Sequence, residues 1–132
     1  MRAFNLVVRL LSGAFIAVAA LHFFTGAHAD ALLGVPITPA MASDASIDSQ
    51  NRFYGITISL LGVVLIIATT DLRRYAPVAT AALGVLFMAG IARALSWGLH
   101  GAPSLPIIVI LCADLLLPPI LYLWMKRLLR TA

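Results

Sequence analysis

From Leu105 to Met125 the chain reads LPIIVILCADLLLPPILYLWM, a run of 21 residues with one charged side chain, Asp114, and two adjacent prolines, Pro118 and Pro119. As a helix it is about 32 Å long, against a hydrocarbon core of about 30 Å. Backbone groups in lipid have no water to bond to, so a single segment of this length satisfies them only as a helix. Three further stretches have the same character: Leu6–Phe24, Phe53–Thr70 and Pro77–Trp97. The whole chain agrees with them. It is 62% hydrophobic and 11% charged over 132 residues, with a mean hydropathy of +1.04. Soluble domains run about 45–50% apolar and about 25% charged, and a soluble chain this short has too little interior to hide the excess.

The expected architecture is an all-α membrane protein: one domain, residues 1–132, with four transmembrane helices at about 6–24, 53–70, 77–97 and 105–125. Short connections after the second and third spans make neighbours antiparallel in a compact four-helix bundle. The first stretch also imitates a signal peptide, with Arg2 before it and Ala27-His28-Ala29 after it. Its apolar run exceeds the usual 7–15 residues, which favours a retained span.

Charge sets the orientation. Arg2, Arg9, Arg73, Arg74, Lys126, Arg127 and Arg130 fall on one side, opposed there by Asp71. The other side holds Asp30, Asp44 and Asp48, with Arg52 at the boundary. Positively charged flanks stay cytoplasmic, so both termini are expected inside and the 25–52 loop outside. Within that loop the Gly34–Pro39 segment is incompatible with regular helix, and Asp48 is the expected N-cap of the second span. The basic residues form no stripe interleaved with aromatics, which argues against nucleic acid. The lone cysteine, Cys112, lies within a span and excludes an intrachain disulfide.

Close helix contact in lipid uses small residues. The candidates are Gly13 and Ala17 in the first span, Gly55, Ser59 and Gly62 in the second, and Gly90, Ala94 and Gly98 in the third.

Ionisable groups at membrane depth point to function. Arg93 near the outer end of span three, Asp114 in span four, Arg52 at the mouth of span two and His22 in span one all fall in the outer half. Arg93 and Asp114 are the natural pair. Pro118 and Pro119 lack the N–H groups that would bond the Asp114 and Leu115 carbonyls, so a kink is expected there. Counting Arg52, Arg93 and Asp114 together leaves one positive charge, which suits a carboxylate or phosphate. Two readings stay open: a pair that fixes helix register, and a ligand site.

Arg52-Phe53-Tyr54-Gly55, Ala92-Arg93-Ala94-Leu95-Ser96 and Asp114-Leu115-Leu116-Leu117-Pro118-Pro119 occur in the order and spacing of a known pattern. The chain resembles the bacterial membrane family catalogued as domain of unknown function 4345, over nearly its whole length. The resemblance implies a four-helix protein of the bacterial inner membrane and supplies no reaction. The fourth-span acid there is more often Glu, so Asp114 implies a shorter reach toward Arg93.

The leading expectation is a non-enzymatic membrane protein that binds a lipid or anionic amphiphile at Arg52, Arg93, Asp114 and His22, or serves as an accessory subunit of a membrane complex. Its partners are membrane lipids and possible further copies of itself. No nucleophile–base pair, phosphate loop or metal-spaced His/Cys cluster marks an enzyme, and no cofactor or metal is expected. One alternative is a redox module in which His22 and His100 hold haem, or which associates with a quinone. The other is an oligomeric transporter.

Overall fold

A computed structural model of the chain describes residues 1–131 and contains six helices. Four of them, α1 (Arg2–Thr25), α4 (Ala45–Ala68), α5 (Leu72–His100) and α6 (Leu105–Thr131), are long and apolar enough to cross a membrane. Two single-turn helices, α2 (His28–Leu32) and α3 (Pro39–Ser43), lie in the connection between α1 and α4. Each long helix contains its expected span apart from the last residues of the second, and each runs past it. The largest difference is at α4, which begins eight residues before Phe53. Its N-cap is Asp44, whose carboxylate accepts the backbone N–H groups of Ser46 and Ile47, both at 2.9 Å. Asp48, expected in that role, sits in the first turn instead and serves another purpose described below.

Val35–Thr38 is non-helical, in keeping with Pro36 within it and Pro39 after it. Thr38 then caps α3 through the Met41 N–H, with Pro39 in the first turn, where a missing donor costs nothing. Asp71 caps α5 by accepting from the Arg74 N–H at 3.0 Å. Helix α6 continues through Pro118 and Pro119 without interruption.

α1 packs chiefly on α4, and α5 on α6. The start of α1 lies beside the end of α4: Asn5 Nδ2 donates to the Thr69 carbonyl at 3.2 Å, and Arg9 Nε to the Thr69 hydroxyl at 3.1 Å. The two pairs meet most fully at this turn end, where the α4–α5 turn and the end of α6 also lie. There Phe4 and Val8, Leu65 and Ala68, Leu72 and Leu83, and Leu121 and Met125 form one buried cluster with members from all four helices. Trp124 stands edge-on to Phe4, with ring centres 5.4 Å apart. At the opposite, loop end the pairs are joined by a polar stitch: the Ser104 hydroxyl donates to the Leu33 carbonyl at 2.5 Å. Gly34 makes this possible, because its φ is +78° and a Cβ there would lie 2.9 Å from Ser104.

Two glycines set the α1–α4 approach. A Cβ at Gly62 would come 2.7 Å from the Ser12 carbonyl oxygen, and one at Gly55 would run into the His22 side chain. The face of α1 turned toward α4 is therefore Ser12, Ala19 and His22. Gly13 and Ala17, expected at the seam, are exposed, and nothing lies within 4 Å of a Cβ placed at Gly13. Likewise Gly90 is buried while Ala94 and Gly98 are open. The outward faces are strongly apolar: Phe24 is 76% exposed and Leu10 67%, a surface that water would not tolerate over four helices.

Candidate functional site

The polar residues of the loop-end half form two separate groups. The first joins α5 to α6. Gly90 lets the two backbones close up: a Cβ there would lie 2.8 Å from the Leu115 side chain and 3.1 Å from the Asp114 carbonyl carbon. Asp114 is thereby turned inward and is 7% exposed. Arg93, three residues beyond Gly90, reaches it, and its Nε donates to Asp114 Oδ2 at 3.1 Å. The shorter acid therefore still spans the gap. Burying the carboxylate alone would cost several kcal/mol, so the arginine holds it in place. The guanidinium uses one donor for this. Its two terminal nitrogens have no hydrogen-bond partner among the described residues, and the Arg93 side chain is 37% exposed.

The second group ties α1, α2 and α4 together. Arg52 Nε donates to Asp48 Oδ2 at 2.7 Å and its Nη2 to Oδ1 at 3.3 Å, a two-pronged pair one helical turn apart. Its Nη1 donates to the Phe23 carbonyl, one of the carbonyls that the end of α1 leaves without a helical partner. Gly26 closes α1 at φ +56°, and any Cβ there would strike the Asp48 carboxylate. Arg52 and Asp48 thus form an external cap for α1. The Arg52 guanidinium also holds the Asp48 carboxyl below the usual carboxylate range.

His22 lies beside this cap. Its Nδ1 is 2.9 Å from the Val18 carbonyl, which only accepts, so Nδ1 carries a hydrogen. Its Nε2 faces Asp30 Oδ1 at 3.4 Å. Asn51 Nδ2 donates to the other Asp30 oxygen at 2.5 Å.

Asp48 neutralises Arg52, and no hydrogen bond or ion pair joins Arg52 to the α5–α6 pair, so the positive charge expected to remain on Arg52, Arg93 and Asp114 together is not gathered in one cluster. His22 also belongs to the capping group. His100 is exposed at the end of α5. Among the described residues no three His, Cys, Asp or Glu side chains gather as metal ligands. The pairing of Asn51 with Asp30, and of Asn5 and Arg9 with Thr69, becomes visible only in the folded chain. The i,i+4 spacing of Asp48 and Arg52 was a usable signal; the contacts of Asn5 and Asn51 cross between elements and left no local trace.

A family model described as Domain of unknown function (DUF4345) matches residues 3–125. No curated protein and no solved structure matches the chain.

Proposed function

The chain belongs to the family described as domain of unknown function DUF4345, and we propose that it is a small multi-pass membrane protein without chemistry of its own, which binds the anionic or strongly polar head of a lipid or amphiphile at Arg93. The four long helices form one transmembrane unit, with neighbours antiparallel and both termini in the cytoplasm of a bacterial inner membrane. Arg93 then lies in the outer half. The observation that carries the reading is the division of labour within one guanidinium: Asp114 fixes Nε, and the terminal nitrogens remain available. A planar two-donor fork held rigid by a buried acid suits phosphate or carboxylate. Asp114 is a positioning residue in this scheme, and Arg52 and His22 shape the mouth without touching the ligand.

The accessory-subunit reading keeps a specific observation of its own. Of residues 91–100 only Arg93 is even partly buried, so the last third of α5 offers a face on which another membrane protein fits.

Mass spectrometry of the purified protein tests the binding reading. The parent is expected to retain an anionic amphiphile, Arg93→Lys to retain it more weakly, and Arg93→Gln to lose it. Retention unchanged in Arg93→Gln would refute the assignment. For topology, in a Cys112→Ala background, a cysteine at Ser43 should react with an impermeant reagent from outside and one at Thr131 should not. The reverse result overturns the orientation.

A further inference from the structure

A groove of about 260 Å³ runs along the α5–α6 seam nearer the turn end, lined by Thr80, Gly84, Phe87, Pro118, Pro119 and Tyr122 with Leu83 at its floor. It exists because Gly84 has no side chain to fill it: a Cβ there meets nothing within 4 Å. The groove is apolar. The Thr80 hydroxyl is turned back onto the Ala76 carbonyl at 2.8 Å, which leaves the Tyr122 hydroxyl as the polar group at its rim. Pockets for drug-sized ligands run about 300–1,000 Å³, so this smaller, laterally open apolar trough suits a hydrocarbon chain.

Charge identifies the rest of the occupant. Lys126, one turn beyond Tyr122, places its Nζ 5.0 Å from the centre of that ring. On α5, Arg73 shares the helix face of Thr80, Gly84 and Phe87 through spacings of seven, four and three residues. Both cations lie on the turn-end side of the groove residues along their helices, and neither has a carboxylate partner among the described residues. We infer that this groove holds an acyl chain of an anionic phospholipid whose phosphate is met by Lys126 and Arg73. The site is independent of Arg93, which lies more than a turn and a half farther along α5 and serves the opposite leaflet.

The test uses the full chain in bilayers of equal phosphatidylglycerol and phosphatidylcholine, released for native mass spectrometry. Two cations near a surface phosphate should favour phosphatidylglycerol by up to about thirtyfold. Gly84→Leu fills the trough and should remove the bound lipid, with a melting midpoint close to the parent. Arg73→Gln/Lys126→Gln should keep a lipid and lose the preference. Arg93→Gln should change neither result, which separates this site from the one proposed above. As a second measurement, the emission added by Phe87→Trp should be quenched more by brominated phosphatidylglycerol than by brominated phosphatidylcholine. Equal retention of the two lipids by the parent, full retention by Gly84→Leu, or a homodimer that Gly84→Leu dissociates would each overturn the proposal.

Discussion

The two ends of the bundle are held by different physics. At the turn end, Phe4, Leu65, Leu83, Leu121 and Met125 interlock as an apolar cluster from all four helices. At the loop end the helices are tied by hydrogen bonds and ion pairs: Arg52 with Asp48 and the Phe23 carbonyl, His22 and Asn51 with Asp30, and Arg93 with Asp114. In lipid, apolar side chains gain little by leaving their solvent, so the turn end depends on close packing and small residues. The loop end depends on satisfying polar groups that would otherwise stand bare. Close packing tolerates little added volume, whereas polar ties give way singly.

The largest effect is expected where backbone meets backbone. Gly62→Val pushes a side chain against the Ser12 carbonyl, which has no flexible end to move. Overpacking of this kind costs up to about 3 kcal/mol, and it should appear as a lower midpoint in detergent-challenge unfolding. Gly13→Val, on the open face of the opposing helix, is the control and should be nearly silent. Equal loss from both would mean that α1 is rotated relative to its placement here.

Next in size is the α5–α6 pair. Arg93→Met leaves the buried Asp114 without its partner and should cost about 2 kcal/mol, less than a fully buried pair because Arg93 is partly exposed. Arg93→Met/Asp114→Leu should cost less than the sum of the two single changes, since it strands no charge. Strict additivity in that cycle would show that the two side chains do not hold each other.

The smallest effect is expected at the α1 cap. Arg52→Lys keeps the charge but loses the fork that serves Asp48 and the Phe23 carbonyl at once, so a small drop in melting midpoint is expected, screened further by salt. The pH dependence has a definite sign. The folded-state pKa of Asp48 lies below its ordinary 3.8, so its contribution is present above that value and fades as the pH falls through the lower, folded value. Asp48→Asn should therefore differ slightly from the parent at neutral pH and match it in strong acid. A difference that persisted in acid would assign the cap to packing around Gly26 instead.

The number and approximate position of the long helices were legible in the sequence, because lipid permits a single apolar segment no other satisfied backbone; their ends were not, since α4 begins eight residues before its apolar run. The Arg93–Asp114 pair was legible for a related reason: Asp114 is the one acid within a span, and a short turn brings Arg93 beside it. Asp48 and Arg52 are one turn apart and were readable as a pair, yet only the structure shows that they close the end of a different helix. What the sequence left open is the rotation of each helix about its axis. Side chains apolar on every face do not say which face turns inward, so Gly13 and Ala17 were as plausible at the α1 seam as Ser12, Ala19 and His22. Tertiary structure decided this through contacts that no local pattern records: Gly55 beneath His22, Gly62 against the Ser12 carbonyl, and Gly90 against the backbone of Asp114. Once those close approaches fix the rotations, Arg52 meets the Phe23 carbonyl and His22 faces Asp30, and the single charged cluster expected from the sequence becomes two separate groups.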